Sequence, residues 1–233
     1  MTRAGITELS PFWPSDYSAL IIRHLMRHPS LAQGRQVLDL GTGSGVLAGA
    51  ALQLGAAEVV ATDLDHDALH LAENRLARIV PEARVQLCQG AMWDAVAPDA
   101  QFDLVLANLP NFPAGKLESG TRGALWSVGG ADGRKVLDPF LFELPRRLRL
   151  RGGAVFTQNR CVGLNMTLEC LAEAGCDARV AETALVPVGP EKITALSSIS
   201  HEPEGVIEVA GFVFLEVALV VVESKGLASR SIS

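Results

Sequence analysis

Gly41, Gly43 and Gly45 interrupt the chain at alternate positions, after the branched apolar run Val37-Leu38-Asp39-Leu40 and before the small apolar pattern Val46-Leu47-Ala48. Glycine suits a backbone that must turn with positive φ or come close to a ligand without a Cβ. A helix starting at such a turn offers free N–H groups and the positive end of its dipole. The chemistry on offer is the cradling of a nucleotide-type ligand. Asp63 stands 22 residues after Gly41, at the end of the next apolar run, where a carboxylate can accept both hydroxyls of a ribose. The plainer use of an aspartate there is a turn or helix cap, which Asp65 and Asp67 could also supply. The dinucleotide fingerprint G-x-G-x-x-G needs its third glycine where Val46 stands, which speaks against an NAD-dependent reductase.

The elements that must position these residues follow from periodicity. Residues 1–16 read as a lead-in loop, and Tyr17 to Met26 as an amphipathic helix capped by Ser15 or Asp16 and ended by Pro29. The glycine turn leads into a helix from about Val46 to Leu54, stopped at Gly55. Glu58–Thr62 is a strand, Asp67–Ile79 a helix, and Arg84–Cys88 and Phe102–Ala107 are strands. Ala114–Gly133 is irregular and glycine-rich, a candidate mobile substrate loop. A helix from about Lys135 to Leu148, a strand Ala154–Thr157 and a helix Leu164–Ala174 follow. Two strands, Ala178–Val188 and Phe212–Val222, joined by a polar loop, close the fold before a flexible tail, 224–233. Strands alternating with helices mean an α/β fold whose mostly parallel sheet is covered on both faces, with an antiparallel edge pair. The expectation is one domain spanning 1–233, of which 1–35 forms an N-terminal loop and helix.

With 48% apolar and 20% charged residues among 233, the chain can bury a full core. A net charge of −6 argues against a nucleic-acid partner and favours a protein or small molecule. The arginines at 146, 147, 149 and 151 read as a solvated helix face. Cys88, Cys161, Cys170 and Cys176 lack C-x-x-C spacing, so neither a zinc site nor a disulfide framework is expected. The longest apolar run, Val209 to Val222, is broken by Glu216 and too short for a bilayer. The expectation is a soluble, cytoplasmic protein without membrane contact.

Val37–Ala48 resembles motif I of the class I S-adenosylmethionine-dependent methyltransferases, and Val60–Asp65 resembles their second motif. The order of elements is similar to that family's seven-stranded, Rossmann-like three-layer sheet, over roughly residues 17–222. The resemblance implies S-adenosyl-L-methionine as methyl donor, S-adenosyl-L-homocysteine as product, and no metal. It implies that Gly41, Thr42, Gly43 and Gly45 approach the methionine and ribose portions. Asp39 would lie near the amino group of the methionine part, Asp63 on the ribose and Leu64 against the adenine face. In the third cofactor segment, Leu87-Cys88-Gln89-Gly90-Ala91-Met92, Ala91 stands where family members often carry an acidic residue. Backbone groups near Met92, or Asp94, would then meet the adenine amino group.

Asn108-Leu109-Pro110-Asn111-Phe112 resembles the N-P-P-[YF] motif of methyltransferases acting on glutamine amides or exocyclic base nitrogens. In that motif an Asn carbonyl and a neighbouring backbone carbonyl accept both N–H bonds of a planar nitrogen, orienting its lone pair. A stacked aromatic ring adds ~0.5–1.5 kcal/mol beyond area burial. The resemblance implies Asn108, Pro110 and Phe112 as the catalytic set, Asn108 also bordering the cofactor. Leu109 replaces the first proline, Asn111 stands in the aromatic position, and Phe112 comes one residue late. Val128-Gly129-Gly130-Ala131-Asp132-Gly133 is similar to the G-G-x-D-G segment of glutamine methyltransferases, and Pro11–Asp16 to their proline-containing lead-in.

The reading is an N-methyltransferase acting on an amide or amine of a protein side chain or small molecule. Its alternatives are a non-catalytic partner subunit that kept the fold and an RNA base methyltransferase. Neither the acceptor nor the oligomeric state follows from the sequence.

Overall fold

The computed structural model describes residues 13–80, 84–114, 127–196 and 204–225. Runs of branched apolar residues become five parallel strands: β1 (Gln36–Leu40), β2 (Glu58–Asp63), β3 (Val85–Gln89), β4 (Phe102–Ala107) and β5 (Leu148–Asn159). They lie in the order β3-β2-β1-β4-β5. Val37, Leu38, Asp39 and Leu40 of β1 are all buried, as a parallel strand covered on both faces requires. Beyond β5 the sheet continues through β8 (Phe212–Ser224), which is antiparallel to β5, and then β6 (Cys176–Pro187), antiparallel to β8. The reversed strand is therefore inserted between two strands that share the direction of the parallel set.

Helices cover both faces. On one, α1 (Asp16–Arg27), α2 (Val46–Gln53) and α3 (His66–Ile79) contribute Leu20, Ile21, Leu25, Leu47, Ala51 and Leu76 to a core with Val37, Leu104 and Val155. On the other, α4 (Leu137–Arg147) and α5 (Leu164–Glu173) bury Leu137, Phe140, Leu144 and Leu171 against Val105, Phe156 and Val220. Each such large side chain contributes roughly 1.5–3 kcal/mol on burial. Successive residues of β5 serve opposite cores, so Phe156 and Gln158 share one face while Thr157 and Asn159 share the face towards α1.

The path through the sheet has seven strands, as the sequence reading expects, and an eighth lies off it: β7 (Val206–Val209) pairs with β8. It takes the side of β8 that β5 leaves after Asn159, since β8 pairs with β5 over 217–223 and with β7 over 212–215. The polar loop expected between the closing strands thus contains a hairpin and a short helix, α6 (Pro190–Leu196). The hairpin turn is tight, with Ala210 at φ 52 and Gly211 at φ 79. β5 starts at Leu148, six residues before the expected Ala154. A register shift opposite Phe102 and Leu104 takes up the excess, with Arg151 at φ 61. No helix among the described residues is long and apolar enough to cross a membrane.

Candidate active site

The chemistry-bearing residues gather at the C-terminal ends of β1, β2 and β4. All three glycines after β1 take the left-handed conformation: Gly41 at φ 74, Gly43 at φ 53 and Gly45 at φ 75. They do different work. A Cβ on Gly45 would stand 3.0 Å from the Cβ of Ala72, so this glycine lets α2 lie against α3. A Cβ on Gly43 would meet no atom of the described residues within 4 Å, leaving space among them on that side of the turn. A Cβ on Gly41 would come 3.2 Å from Leu109 Cδ2, which brings the segment after β4 onto the glycine turn.

Asp39 is fully buried at the end of β1. Its Oδ2 accepts from the Thr42 hydroxyl at 2.6 Å and from the Ala48 N–H at 2.9 Å. Its Oδ1 is buried with no hydrogen-bond partner among the described residues, an arrangement that costs free energy unless a ligand or water donates there. Burial, opposed by the two bonds and assisted by the nearby Asp63 charge, pushes the Asp39 carboxyl up to about 6. Thr42, itself 5% exposed, is a brace for this aspartate; its N–H also reaches the Thr62 carbonyl at 2.8 Å.

Asp63 spans the glycine turn and the start of α3. Its Oδ2 accepts from the Gly43 N–H at 2.8 Å and its Oδ1 from the Asp65 N–H at 2.9 Å. A carboxylate has about four acceptor sites, so capacity for two hydroxyls remains. The cap of α3 falls to Asp65, which accepts from Asp67 N–H, freeing Asp63 from that use. Leu64 holds a large apolar side chain 68% exposed beside it. The Gln89–Met92 segment borders the same corner: Gly90 N–H donates to the Asp63 carbonyl at 3.0 Å, and Gln89 Nε2 to the Leu64 carbonyl at 3.3 Å. Ala91 is exposed, and Met92 sits at φ 51, an uncommon conformation for a non-glycine residue.

Asn108 follows β4, and three hydroxyls hold its side chain: Nδ2 donates to Ser15 Oγ at 3.2 Å and Ser18 Oγ at 3.0 Å, while Oδ1 accepts from Thr157 Oγ1 at 3.1 Å. Ser15 is also the N-cap of α1, so the lead-in and the segment after β4 meet at this amide. Pro110 is half-buried beside it. Phe112 does not join the group. Its ring is 2% exposed, packs with Ala114, Leu196 and Leu215, and carries Lys192 Nζ 5.1 Å above its centroid. Arriving one residue late in the motif, it lies in a separate cluster under α6 and β8. Asn111, in the aromatic position, is buried and turned to β5.

The segment 127–133 runs alongside 112–114, with Phe112 N–H donating to Ser127 O and Ala114 N–H to Gly130 O. A Cβ on Gly129 would fall 2.8 Å from the Asn111 Cα, and one on Gly133 would fall 2.8 Å from the Asn111 carbonyl. These glycines let one loop lie directly on the other. Arg134 anchors it by donating to the Val162 carbonyl and Thr167 Oγ1 and pairing with Asp138. Trp126, most of the expected substrate loop, and Pro11 and Phe12 of the lead-in lie outside the described residues. Sequence reasoning missed Tyr17, Ser18, Thr157 and Asn159. The polar triplet Thr157-Gln158-Asn159 closing an apolar strand was the signal available for two of them.

Residues 19–113 match the family model described as ribosomal protein L11 methyltransferase (PrmA). Over 177 residues the chain is 27% identical to the putative protein N5-glutamine methyltransferase of Methanocaldococcus jannaschii, covering 75% of this chain and 85% of that protein. It is 38% identical over 138 residues to the release factor glutamine methyltransferase of Bordetella pertussis, covering 54% of this chain and about half, 49%, of that relative. The T. thermophilus 16S rRNA N2 G1207 methyltransferase, solved with AdoMet and guanosine, shares the fold with a TM-score of 0.55 at 18% identity, over 92% of this chain and 44% of that one. Sheet order, glycine turn and relatives together make the chain similar to the class I S-adenosylmethionine-dependent methyltransferases. Within that class, its relatives in sequence include enzymes named for protein glutamine and for ribosomal protein L11.

Proposed function

We propose that this chain transfers a methyl group from S-adenosylmethionine to the side-chain amide nitrogen of a glutamine in a protein. The observation that carries the reading is Asn108, fixed by Ser15, Ser18 and Thr157 at the end of β4 and joined through Leu109 to the glycine turn. The names of the glutamine-methylating relatives support the acceptor.

The cradle fits the cofactor. The orphaned Asp39 Oδ1 would accept from the ammonium of the methionine portion, which the open space at Gly43 lets approach the turn. Asp63 would take the ribose hydroxyls, and Leu64 with the Ala91–Met92 backbone would border the adenine. When bound, the cofactor supplies an activated sulfonium methyl, so the protein's task is positioning and exclusion of water. Asn108 Oδ1 and the Leu109 carbonyl accept the two N–H bonds of the acceptor amide. Its lone pair is thereby aimed at the methyl carbon. With the methyl donor bound, the new C–N bond would form as the S–C bond breaks, and the surplus proton would leave the methylated nitrogen to water.

The four free cysteines accord with a reducing, cytoplasmic setting. The test is to incubate the protein with S-adenosylmethionine labelled in its methyl group and separated protein, RNA and small-molecule fractions of a cell extract. Label in protein is expected. Label confined to RNA or to small molecules overturns the acceptor.

A further inference from the structure

Asn111 occupies the motif's aromatic position, yet its amide is buried at 3% exposure with every hydrogen-bonding position used. Nδ2 donates to the Leu109 carbonyl at 2.9 Å and the Thr157 carbonyl at 3.2 Å. Oδ1 accepts from the Asn159 N–H at 2.9 Å and from Asn159 Nδ2 at 2.7 Å. Two donors and two acceptor lone pairs are all that an asparagine amide has. Three of the partners are backbone groups whose donor or acceptor character is fixed, so the orientation of the amide is fixed as well.

The two carbonyls it grips are informative. Leu109 O is the backbone oxygen assigned above to the acceptor amide, and among the described residues Asn111 is the donor it meets, leaving a second lone pair for that amide. Thr157 is the residue whose hydroxyl donates to Asn108 Oδ1, the other oxygen so assigned. The network runs further: Asn159 Nδ2 also reaches the Asn111 carbonyl at 3.3 Å, and the Tyr17 hydroxyl donates to Asn159 Oδ1 at 2.7 Å. Burial raises the Tyr17 phenol to about 12, so it stays a donor at any physiological pH. Gly129 and Gly133 seal the outer side of Asn111, where a Cβ on either would strike its backbone.

We propose that Asn111 is a positioning residue: one buried amide, tied through Asn159 and Tyr17 to β5 and α1, sets the direction of both carbonyl oxygens that orient the acceptor nitrogen. A polar pin thus stands where the motif otherwise carries a stacking ring. The site recognises its acceptor by two directed hydrogen bonds rather than by a face, which suits a small planar amide. The inference rests on the amide-methylation reading.

The test compares wild type with Asn111→Asp, Asn111→Ala and Tyr17→Phe. Asn111→Asp keeps the acceptor oxygen and replaces both donors by a second acceptor; Tyr17→Phe removes one distant hydroxyl and leaves the ring. Two quantities are measured: the dissociation constant of S-adenosylmethionine by calorimetry, and the rate of labelled-methyl transfer to the protein fraction at saturating cofactor. Cofactor affinity is expected within about threefold of wild type, while transfer falls about 100-fold in the Asn111 variants and about tenfold in Tyr17→Phe, as small misplacements of reacting groups do. A merely structural role would lower affinity and transfer together, and that result overturns the proposal. Should the Asn111 variants not fold, Tyr17→Phe decides, and an undiminished rate there overturns it too. A wild type that labels no protein removes the amide reading and this inference with it. A labelling wild type with unimpaired variants removes the inference alone.

Discussion

If Asp39 holds the ammonium of S-adenosylmethionine, cofactor affinity must follow the ionisation of a carboxyl raised to about 6. With that value, about nine-tenths of Asp39 is ionised at pH 7 and about one-tenth at pH 5. If only the carboxylate binds, affinity falls about tenfold over those two pH units, or about 1.4 kcal/mol. An aspartate at the ordinary 3.8 would change affinity by less than about a tenth over that range. Calorimetric titration with S-adenosylmethionine between pH 5 and 7, in buffers of different ionisation enthalpy, reads both the affinity and the release of about half a proton per site near pH 6. Asp39→Asn should bind weakly and without this pH dependence. The same raised value has a stability consequence. The folded-state pKa lies above the unfolded one, so the folded protein holds the extra proton. The stabilisation is complete below about pH 3.8 and is lost as pH rises through about 6, amounting to about 3 kcal/mol in this fully buried group. Asp39→Asn should accordingly be more stable than wild type at pH 7.5 by about 1 kcal/mol or more, since it removes a buried charge. Flat affinity from pH 7 to 5, or a destabilised Asp39→Asn, would refute the reasoning.

The other expectations concern the glycines and the two remaining polar residues. Gly45→Ala places a Cβ 3.0 Å from Ala72 Cβ at φ 75, and should lose about 2 kcal/mol or more in denaturant unfolding from left-handed strain and overlap. Gly43→Ala meets open space, so it should lose only about 1 kcal/mol from strain while calorimetry shows weakened cofactor binding. Asp63→Ala removes the acceptor of Gly43 and Asp65 N–H; affinity should fall at least about 30-fold, the equivalent of one to two charge-assisted hydrogen bonds. Asn108→Ala should cut methyl transfer at least about 100-fold with cofactor affinity nearly unchanged; retained transfer would remove Asn108 from the acceptor site.

The parts of this protein governed by local rules were legible in its sequence. Apolar runs gave the parallel strands, Ser15 was readable as a cap, and the alternate glycines foretold three positive φ values. What was hidden depended on chain segments far apart. That Asn111 would turn inward could not be read from its neighbours, because its partner Asn159 lies 48 residues away and Tyr17 lies 142 residues from Asn159. Phe112 was misassigned for a related reason: its place is decided by a cluster with Leu196 and Leu215, elements of α6 and β8. Strand β7 was missed because Ala210-Gly211 is not the Asn-Gly dipeptide that usually announces so tight a hairpin.

The central claim is methyl transfer to a glutamine amide, and the chemistry of the product tests it most directly. Protein labelled from S-adenosylmethionine carrying a tritiated methyl group is hydrolysed in strong acid, and the volatile label is identified. An N-methylated amide must release labelled methylamine, and peptide mass spectrometry must place one added methyl on a glutamine. Label that survives acid on a lysine, leaves as methanol from a carboxyl ester, or appears only in nucleic acid would contradict the account.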